Sequence, residues 1–166
     1  MNPAFLALAD NTLVDNEGIT KSFDYLLDEE SKCSALRFND RGSFASSHIT
    51  DIEPHEEFES IRVVHLTLFS GETFTLLEGT QILAADNNWV AIEDEHPGDG
   101  VKTLTYNPSL RHPQLTPKVI SSIELETLSF APVVGFNISS SSDNFLLASE
   151  QEENITILIP VRPTRL

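Results

Sequence analysis

Cys33 carries the strongest potential nucleophile, because it is the only thiol in the chain. The adjacent Lys32 would lower the thiol pKa and favour the reactive thiolate. No base is spaced along the sequence in a way that would activate this thiol, so a small packing residue on a short strand is the favoured interpretation. One cysteine also excludes an intramolecular disulfide and a cysteine-rich zinc site.

Nitrogen and oxygen ligands for a metal ion are concentrated in one segment, at His48, Asp51, His55, Glu56 and Glu57. Six residues separate the two histidines, which is not a spacing typical of a metal site. Residues 46–59 are rich in acidic side chains around a proline, a pattern that favours a solvated acidic loop. A metal-binding module therefore stays an alternative, and no cofactor is predicted.

The charge balance excludes several classes of partner. Among 166 residues, 26 are acidic and 10 are basic, which gives a formal charge of −16. Such a chain lacks the lysines and arginines that neutralise nucleic-acid phosphates or anionic membranes. We therefore expect neither nucleic acid nor a membrane as a partner. The apolar content of 40% is sufficient for a hydrophobic core.

The elements that must position these residues are mostly strands, because apolar side chains recur with a period of two. Residues 58–69 and 73–77 are predicted to form a hairpin around a glycine turn. Residues 25–30 could form one helical turn, and residues 107–117 form a proline-rich loop. Other strands are predicted at 12–14, 20–23, 34–38, 81–84, 89–92, 101–105, 119–128, 133–138, 145–147 and 155–160. The expected fold class is all-β, with many short strands and little helix.

Several segments occur in the order found in a known family. They are the Ala-Leu-Ala-Asp-Asn-Thr-Leu-Val run at 7–14, the hairpin at 64–77, the Trp89 segment that leads to Gly100, and the strands that close on Asp143-Asn144-Phe145. Together they resemble the Hint domain, the fold of inteins and of the hedgehog autoprocessing domain. The resemblance covers residues 5–150 and implies one compact Hint-like domain over residues 1–150.

The resemblance also implies that the processing chemistry has been lost. Hint domains start with an acyl shift at a thiol or hydroxyl, and the matching residue here is Ala7. The family's Thr-x-x-His matches a segment with Leu77 and Thr80 at its ends, and its last histidine matches Asp143, before Asn144. The terminal asparagine of splicing inteins has no counterpart here. We therefore predict no catalytic residues and no enzyme activity.

The prediction for function is a non-enzymatic structural module of a protein assembly. By analogy, a small acidic β-protein packed by neighbours is typical of a virus particle, such as a phage tail, baseplate or neck. The expected location is the virion, or otherwise the cytoplasm. Residues 151–166 are predicted to form an arm that contacts a partner, which could be another copy of the chain, through Ile155, Ile157, Ile159, Val161, Arg162 and Arg165.

Three alternatives stay open from the sequence. The chain could be a self-processing Hint domain with a non-standard nucleophile such as Cys33. It could be an acidic module that binds a metal or ligand through His48, Asp51 and His55. It could also be an acidic inhibitor that mimics nucleic acid.

Overall fold

A computed structural model describes residues 3–28, 33–38, 44–55, 60–105, 114–139, 143–150 and 157–166. The strands in these ranges are Phe5–Leu8 (β1), Thr12–Val14 (β2), Thr20–Ser22 (β3), Cys33–Phe38 (β4), Phe44–His55 (β5), Ile61–Leu68 (β6), Thr73–Leu77 (β7), Gln81–Leu83 (β8), Trp89–Ala91 (β9), Gly100–Thr105 (β10), Thr116–Leu128 (β11), Val133–Ser139 (β12), Phe145–Ala148 (β13), Ile157–Arg162 (β14) and Thr164–Arg165 (β15). One helix, Phe23–Asp28 (α1), and one 3₁₀ turn, Ile92–Asp94, complete the described elements.

The strands form two antiparallel sheets, so the predicted all-β class is confirmed. The smaller sheet has the order β15-β1-β12-β5-β4. The larger sheet has the order β3-β2-β13-β14-β10-β11-β6-β7, and β8 pairs with both β14 and β9 beside this path. Because β1 and β15 come from opposite ends of the sequence, the smaller sheet brings distant parts of the chain together.

The hairpin β6–β7 shows how local sequence sets a register. Its pairing runs from Val63 opposite Leu77 to Thr67 opposite Thr73. Gly71 closes the turn at a φ of 102°, a conformation that glycine adopts without steric cost. The predicted strand 73–77 is confirmed, and the partner strand begins at Ile61 rather than at residue 58. Residues 56–59 lie outside the described ranges.

Four phenylalanines join the sheets across the core. Phe136 of β12 lies 6.3 Å from Phe145 of β13 between ring centroids, and Phe23 of α1 lies 4.9 Å from Phe136. Phe5 of β1 adds a fourth ring 6.0 Å from Phe136. All four are at least 95% buried, and burial of each ring contributes about 2–3 kcal/mol to folding.

The helix begins two residues before the predicted helical turn. The Ser22 hydroxyl accepts a hydrogen bond from the Tyr25 backbone N–H at 3.1 Å, which is the contact of a helix N-cap. This cap starts the helix at Phe23, and Phe23 and Leu26 then lie on one buried face. The predicted strand at 20–23 accordingly ends at Ser22.

The predicted acidic loop at 46–59 is wrong over its described part, because residues 44–55 form the long strand β5. This strand pairs with β4 on one side and β12 on the other. Ser47 and Ile49 are fully buried, whereas the two acidic side chains of the strand, Asp51 and Glu53, are exposed. Asp51 adopts a positive φ of 56° where the register with β12 shifts, so a bulge interrupts the alternation.

The predicted arm is also corrected over its described part. Ile157, Ile159 and Val161 lie on β14, whose neighbours in the larger sheet are β13 and β10. These three side chains are at most 4% exposed, because a strand paired on both edges buries its apolar groups in its own core. They are therefore not accessible to a partner. Ile155 lies outside the described residues.

Candidate functional site

β1, the turn between β7 and β8, and the segment from β14 to β15 meet around one cleft. The enclosed volume is about 340 Å³. Its lining comes from residues far apart in sequence, namely Phe5, Gly79, Gln81, Asp143, Arg162, Pro163 and Arg165. A concave site of this size accommodates a side chain or a small ligand.

β15 is placed beside the cleft by backbone pairing with β1. Phe5 lies opposite Arg165 in this antiparallel pair, and Leu6 lies opposite Thr164. The Leu166 backbone N–H then donates to the carbonyl of Ala4 at 3.0 Å. These bonds hold β15 at the edge of the smaller sheet.

Thr164 fastens β15 to the turn between β7 and β8. Its hydroxyl donates to the Glu78 carbonyl at 3.1 Å and lies 3.1 Å from the Thr80 hydroxyl. Gly79 between them has a φ of 93°, and its N–H donates to Glu93 Oε2 at 2.9 Å. A Cβ at this position would lie 3.3 Å from Thr164 Cγ2, so glycine also permits the close approach of β15.

Two arginines set the electrostatics of the cleft. Arg165 forms an ion pair with Asp143, and its guanidinium lies 5.0 Å from the centroid of the Phe5 ring. Arg162 lies 4.5 Å above the ring of Trp89, a geometry that gives cation–π attraction. In the described part of the chain, no carboxylate lies within ion-pair distance of Arg162. The cleft therefore holds one positive charge without an anionic partner in those ranges.

Solved structures with the same arrangement of strands are inteins and an intein-like domain. The DnaB intein from Synechocystis sp. PCC 6803 is 16% identical, with a TM-score of 0.66, over 93% of this chain and 97% of that chain. The TvoVMA intein is 13% identical, with a TM-score of 0.71, over 95% of this chain and 97% of that chain. The bacterial intein-like domain from Clostridium thermocellum is 14% identical, with a TM-score of 0.63, over 95% of this chain and 98% of that chain.

The chain has the Hint fold. This confirms the resemblance drawn from the order of sequence motifs. No protein-family model matches the chain, and no curated protein matches its sequence. The similarity is thus one of structure, at sequence identities that define the fold alone.

The residues matched to the Hint processing positions lie at or just behind the cleft. Asp143 lines it, and Thr80 contacts β15 through its hydroxyl. Ala7 is buried on β1 opposite Val134, and Leu77 lines a neighbouring cavity of about 450 Å³. The structure therefore brings these positions together from three separate segments.

Asn144 differs from its neighbour Asp143 in its environment. It is 6% exposed, and its backbone carbonyl accepts a hydrogen bond from the Ser47 hydroxyl at 2.8 Å. Its Oδ1 atom has no hydrogen-bond partner among the described residues. The Oδ1 atom of Asn144 is therefore a buried acceptor without a donor among the described residues, next in sequence to the cleft residue Asp143.

Cys33 lies far from this cleft. It begins β4, which is three strands away from β1 in the smaller sheet, and adjacent strands are about 4.8 Å apart. The lateral separation is therefore about 14 Å. The thiol is 4% exposed, and burial raises its pKa more than the nearby charge of Lys21 lowers it.

The candidate metal ligands are not brought together. His48 Nδ1 lies 3.0 Å from Ser34 Oγ, and Asp51 Oδ2 accepts a bond from Asn137 at 3.1 Å. His55 is seven positions beyond His48 on an extended strand, which places their backbones about 20 Å apart. Across the described ranges, no group of three metal-ligating side chains is close enough to hold an ion. Glu56 and Glu57 fall outside those ranges.

Two features of this chain were not predicted from its sequence. One is the stack of Arg162 on Trp89, for which the only sequence signal was a lone tryptophan and a basic residue far downstream. The other is the buried carboxyl of Glu95. Burial, then the hydrogen bond that the protonated Glu95 donates to the Asp99 carboxylate, and then the charges of Asp99, Asp86 and Asp94 raise the pKa of Glu95 to about 7.

A membrane-spanning role finds no support in the helices. Within the described residues, no helix is both long enough and apolar enough to cross a bilayer. The longest described helix, α1, has six residues, whereas a bilayer needs about 20.

Proposed function

We propose that this chain is a Hint-fold module that does not process itself and that acts as a structural component of a protein assembly. The observation that carries the proposal is the chemistry of the residues around the cleft. Ala7 and Leu77 supply no nucleophile, acid or base at the positions where the resemblance predicts processing groups. The same scaffold is thus retained with different side chains.

The hydroxyls that remain near the cleft are poorly suited to attack. Thr80 and Thr164 are hydrogen-bonded to one another, and Thr164 also donates to the Glu78 carbonyl. In the described structure, no histidine or carboxylate is hydrogen-bonded to either hydroxyl. A threonine hydroxyl needs an adjacent base to become nucleophilic, so this arrangement favours a structural role.

Cys33 is a weak alternative nucleophile for two reasons. Its thiol is buried and its pKa is raised, which disfavours the thiolate at neutral pH. It also lies about 14 Å across the smaller sheet from β1. Self-processing through Cys33 would therefore require a large rearrangement of the core.

Exposed apolar side chains support a role in contacts between proteins. Phe69 is 72% exposed beside Val119, and the Phe69 N–H donates to the Val119 carbonyl at 3.0 Å. Phe130 is 80% exposed on the loop after β11. Phe69 and Val119 form one exposed apolar patch, Phe130 lies at the other end of the β6–β11 pair, and exposed apolar patches favour protein contacts. By the analogy drawn from composition, the proposed assembly is a virus particle such as a phage tail, baseplate or neck.

Intact mass after expression between two unrelated tags tests the absence of processing. We expect only the full-length mass, with or without added thiol, because no activated nucleophile lies at the cleft. A Cys33→Ala variant is the matched control. Fragments cut at the ends of the domain would contradict the proposal, and their loss in Cys33→Ala would identify the nucleophile.

Sedimentation velocity over a range of concentrations tests the simplest assembly, one built from copies of this chain. We expect concentration-dependent association that weakens when Phe69 and Phe130 are both replaced by serine. A monomer at every concentration would exclude a self-assembling role.

A further inference from the structure

We propose that the cleft is a carboxylate-binding site, in which Arg162 takes an acidic group from a peptide segment of a partner protein. This inference rests on the proposed role in an assembly and names the chemistry of one contact. It uses a side chain at the end of β14 that remains half-buried and reaches the cleft, unlike the apolar residues before it.

The first argument is the way Arg162 is held. Its guanidinium carbon lies over the Trp89 ring, 4.5 Å from the ring centroid, so the ring packs against the charged group. A cation–π contact restrains the guanidinium and occupies no carboxylate acceptor, so N–H donors of Arg162 stay available for a bidentate hydrogen bond. The side chain is therefore ordered before a ligand arrives, which lowers the entropy cost of binding.

The second argument is charge. Arg165 already faces a carboxylate, that of Asp143, on the same cleft. Arg162 faces none within the ranges that the structure describes. In a chain with 26 acidic and 10 basic residues, an arginine in a cleft without a carboxylate partner is unexpected unless a ligand supplies one.

The third argument is a neighbouring polar group. Gln81 of β8 lies directly opposite Arg162 of β14 in the sheet, and both line the cleft. Side chains opposite each other on paired strands lie about 5 Å apart at Cβ. The amide of Gln81 can therefore donate to the same carboxylate or bond the adjacent peptide group.

A carboxylate fits this site better than a phosphate. One unmatched positive charge balances one carboxylate, whereas a phosphate group carries up to two negative charges near Asp143. Nucleic acid needs several cations along its backbone, and this chain has a formal charge of −16. The cleft volume of about 340 Å³ accepts an acidic side chain or a chain-end carboxylate.

Trp89 gives this proposal a local readout, because it is the only tryptophan in the chain. Its indole N–H therefore gives one side-chain signal in a nitrogen–proton NMR spectrum. The protein is titrated with a blocked tripeptide carrying glutamate between two glycines, and with triglycine that has a free carboxyl end. The same tripeptide with glutamine in place of glutamate, and inorganic phosphate, complete the series.

We expect a saturable shift of the indole signal with at least one carboxylate peptide and none with the glutamine peptide. Comparison of the two carboxylate peptides tells whether a side chain or a chain end is the better ligand. Arg162→Gln should weaken binding at least about tenfold, since it removes the charge and the paired donors. Arg162→Lys should weaken binding less, because it keeps the charge but loses the planar fork.

Arg37→Gln is the matched control, because it removes the same charge far from the cleft. Arg37 lies on β4, at one edge of the smaller sheet, whereas β15 borders the cleft at the other edge. We expect it to leave binding unchanged within about twofold. Equal shifts with glutamate and glutamine peptides, tighter binding of phosphate, or no saturable shift would each overturn the proposal. If Arg162→Gln does not fold, the affinity of Arg162→Lys for the carboxylate peptides tests the role of Arg162 instead. None of these outcomes alters the intact-mass result, so the site and the lack of processing fail separately.

Discussion

Glu95 is the residue whose protonation is most affected by folding among the groups described. It is 7% exposed at the end of the 3₁₀ turn, close to the carboxylate of Asp99. Burial and the hydrogen bond that the protonated Glu95 donates to Asp99 favour the protonated form, so the pKa of Glu95 rises from 4.5 to about 7. The pKa of Asp99 is lowered, chiefly because its carboxylate accepts a hydrogen bond from the His96 backbone N–H. The pair therefore holds a proton that the unfolded chain would release.

Glu95→Gln should stabilise the protein at alkaline pH and have little effect at acid pH. Between pH 4.5 and about 7 the unfolded chain loses the proton and the folded chain keeps it, so stability falls as the pH rises through this window. The variant removes this loss and should gain about 1–2 kcal/mol near pH 8. Thermal melts at several pH values measure the difference from the parent protein.

Glu17→Gln, on an exposed turn, provides the control for a change of net charge. We expect its melting temperature to follow that of the parent at each pH. A constant difference between Glu95→Gln and the parent from acid to alkaline pH would show that Glu95 ionises normally.

At the scale of elements, the turn between β7 and β8 holds β15 from one side, and the pairing with β1 holds it from the other. Gly79 combines a left-handed conformation with a close approach to Thr164, whereas Gly71 has the same conformation and open space around it. The two glycines therefore separate backbone strain from steric contact. The two glycines can be compared directly because their turns lie at the two ends of the same strand, β7.

Gly79→Ala should destabilise the protein more than Gly71→Ala. Both substitutions place a Cβ on a residue with positive φ, which costs about 1–2 kcal/mol. At residue 79 the new methyl group must also displace Thr164 or shift β15. Urea unfolding of both variants measures the difference, and equal losses would show that β15 yields to the methyl group without cost.

At the scale of the whole molecule, β14 is a central strand that links the two halves of the larger sheet. It pairs with β13, β10 and β8, and Ile157, Ile159 and Val161 belong to the same core as Phe136 and Phe145. A strand paired on both edges is part of the domain core and cannot act as a free arm that binds a partner. The partner contact that we propose for this segment lies at its polar end, where Arg162 and Arg165 line the cleft.

Deletion of residues 157–166 should abolish cooperative folding, because it removes β14 from the centre of a sheet and leaves its neighbours unpaired. Deletion of residues 163–166 is the matched control, since it removes β15 and keeps β14. This shorter deletion should lower the free energy of unfolding by about 1–3 kcal/mol. Near-ultraviolet circular dichroism and thermal melts report both effects. A ten-residue deletion that still melts cooperatively would contradict the central role of β14.

The sequence by itself determined the strand-rich class, the hairpin β6–β7 and the glycine turns, because alternation and positive-φ residues act over a few neighbouring positions. It also determined the order of Hint-like segments. It did not reveal β5, since Asp51 and Glu53, two of the acidic residues that suggested a loop, are exposed on a strand whose pairing comes from β4 and β12.

Only the tertiary structure decided that β14 is internal and that Phe5, Gly79, Asp143 and Arg165 share one cleft. A period of two tells that a strand has two faces, but not which distant strands cover its edges. Those partners are chosen by packing among residues far apart in sequence, such as Leu104 and Leu158 or Phe5 and Arg165. The site is made of such long-range pairs, and for that reason local patterns named Asp143, Arg162 and Arg165 but did not place them together.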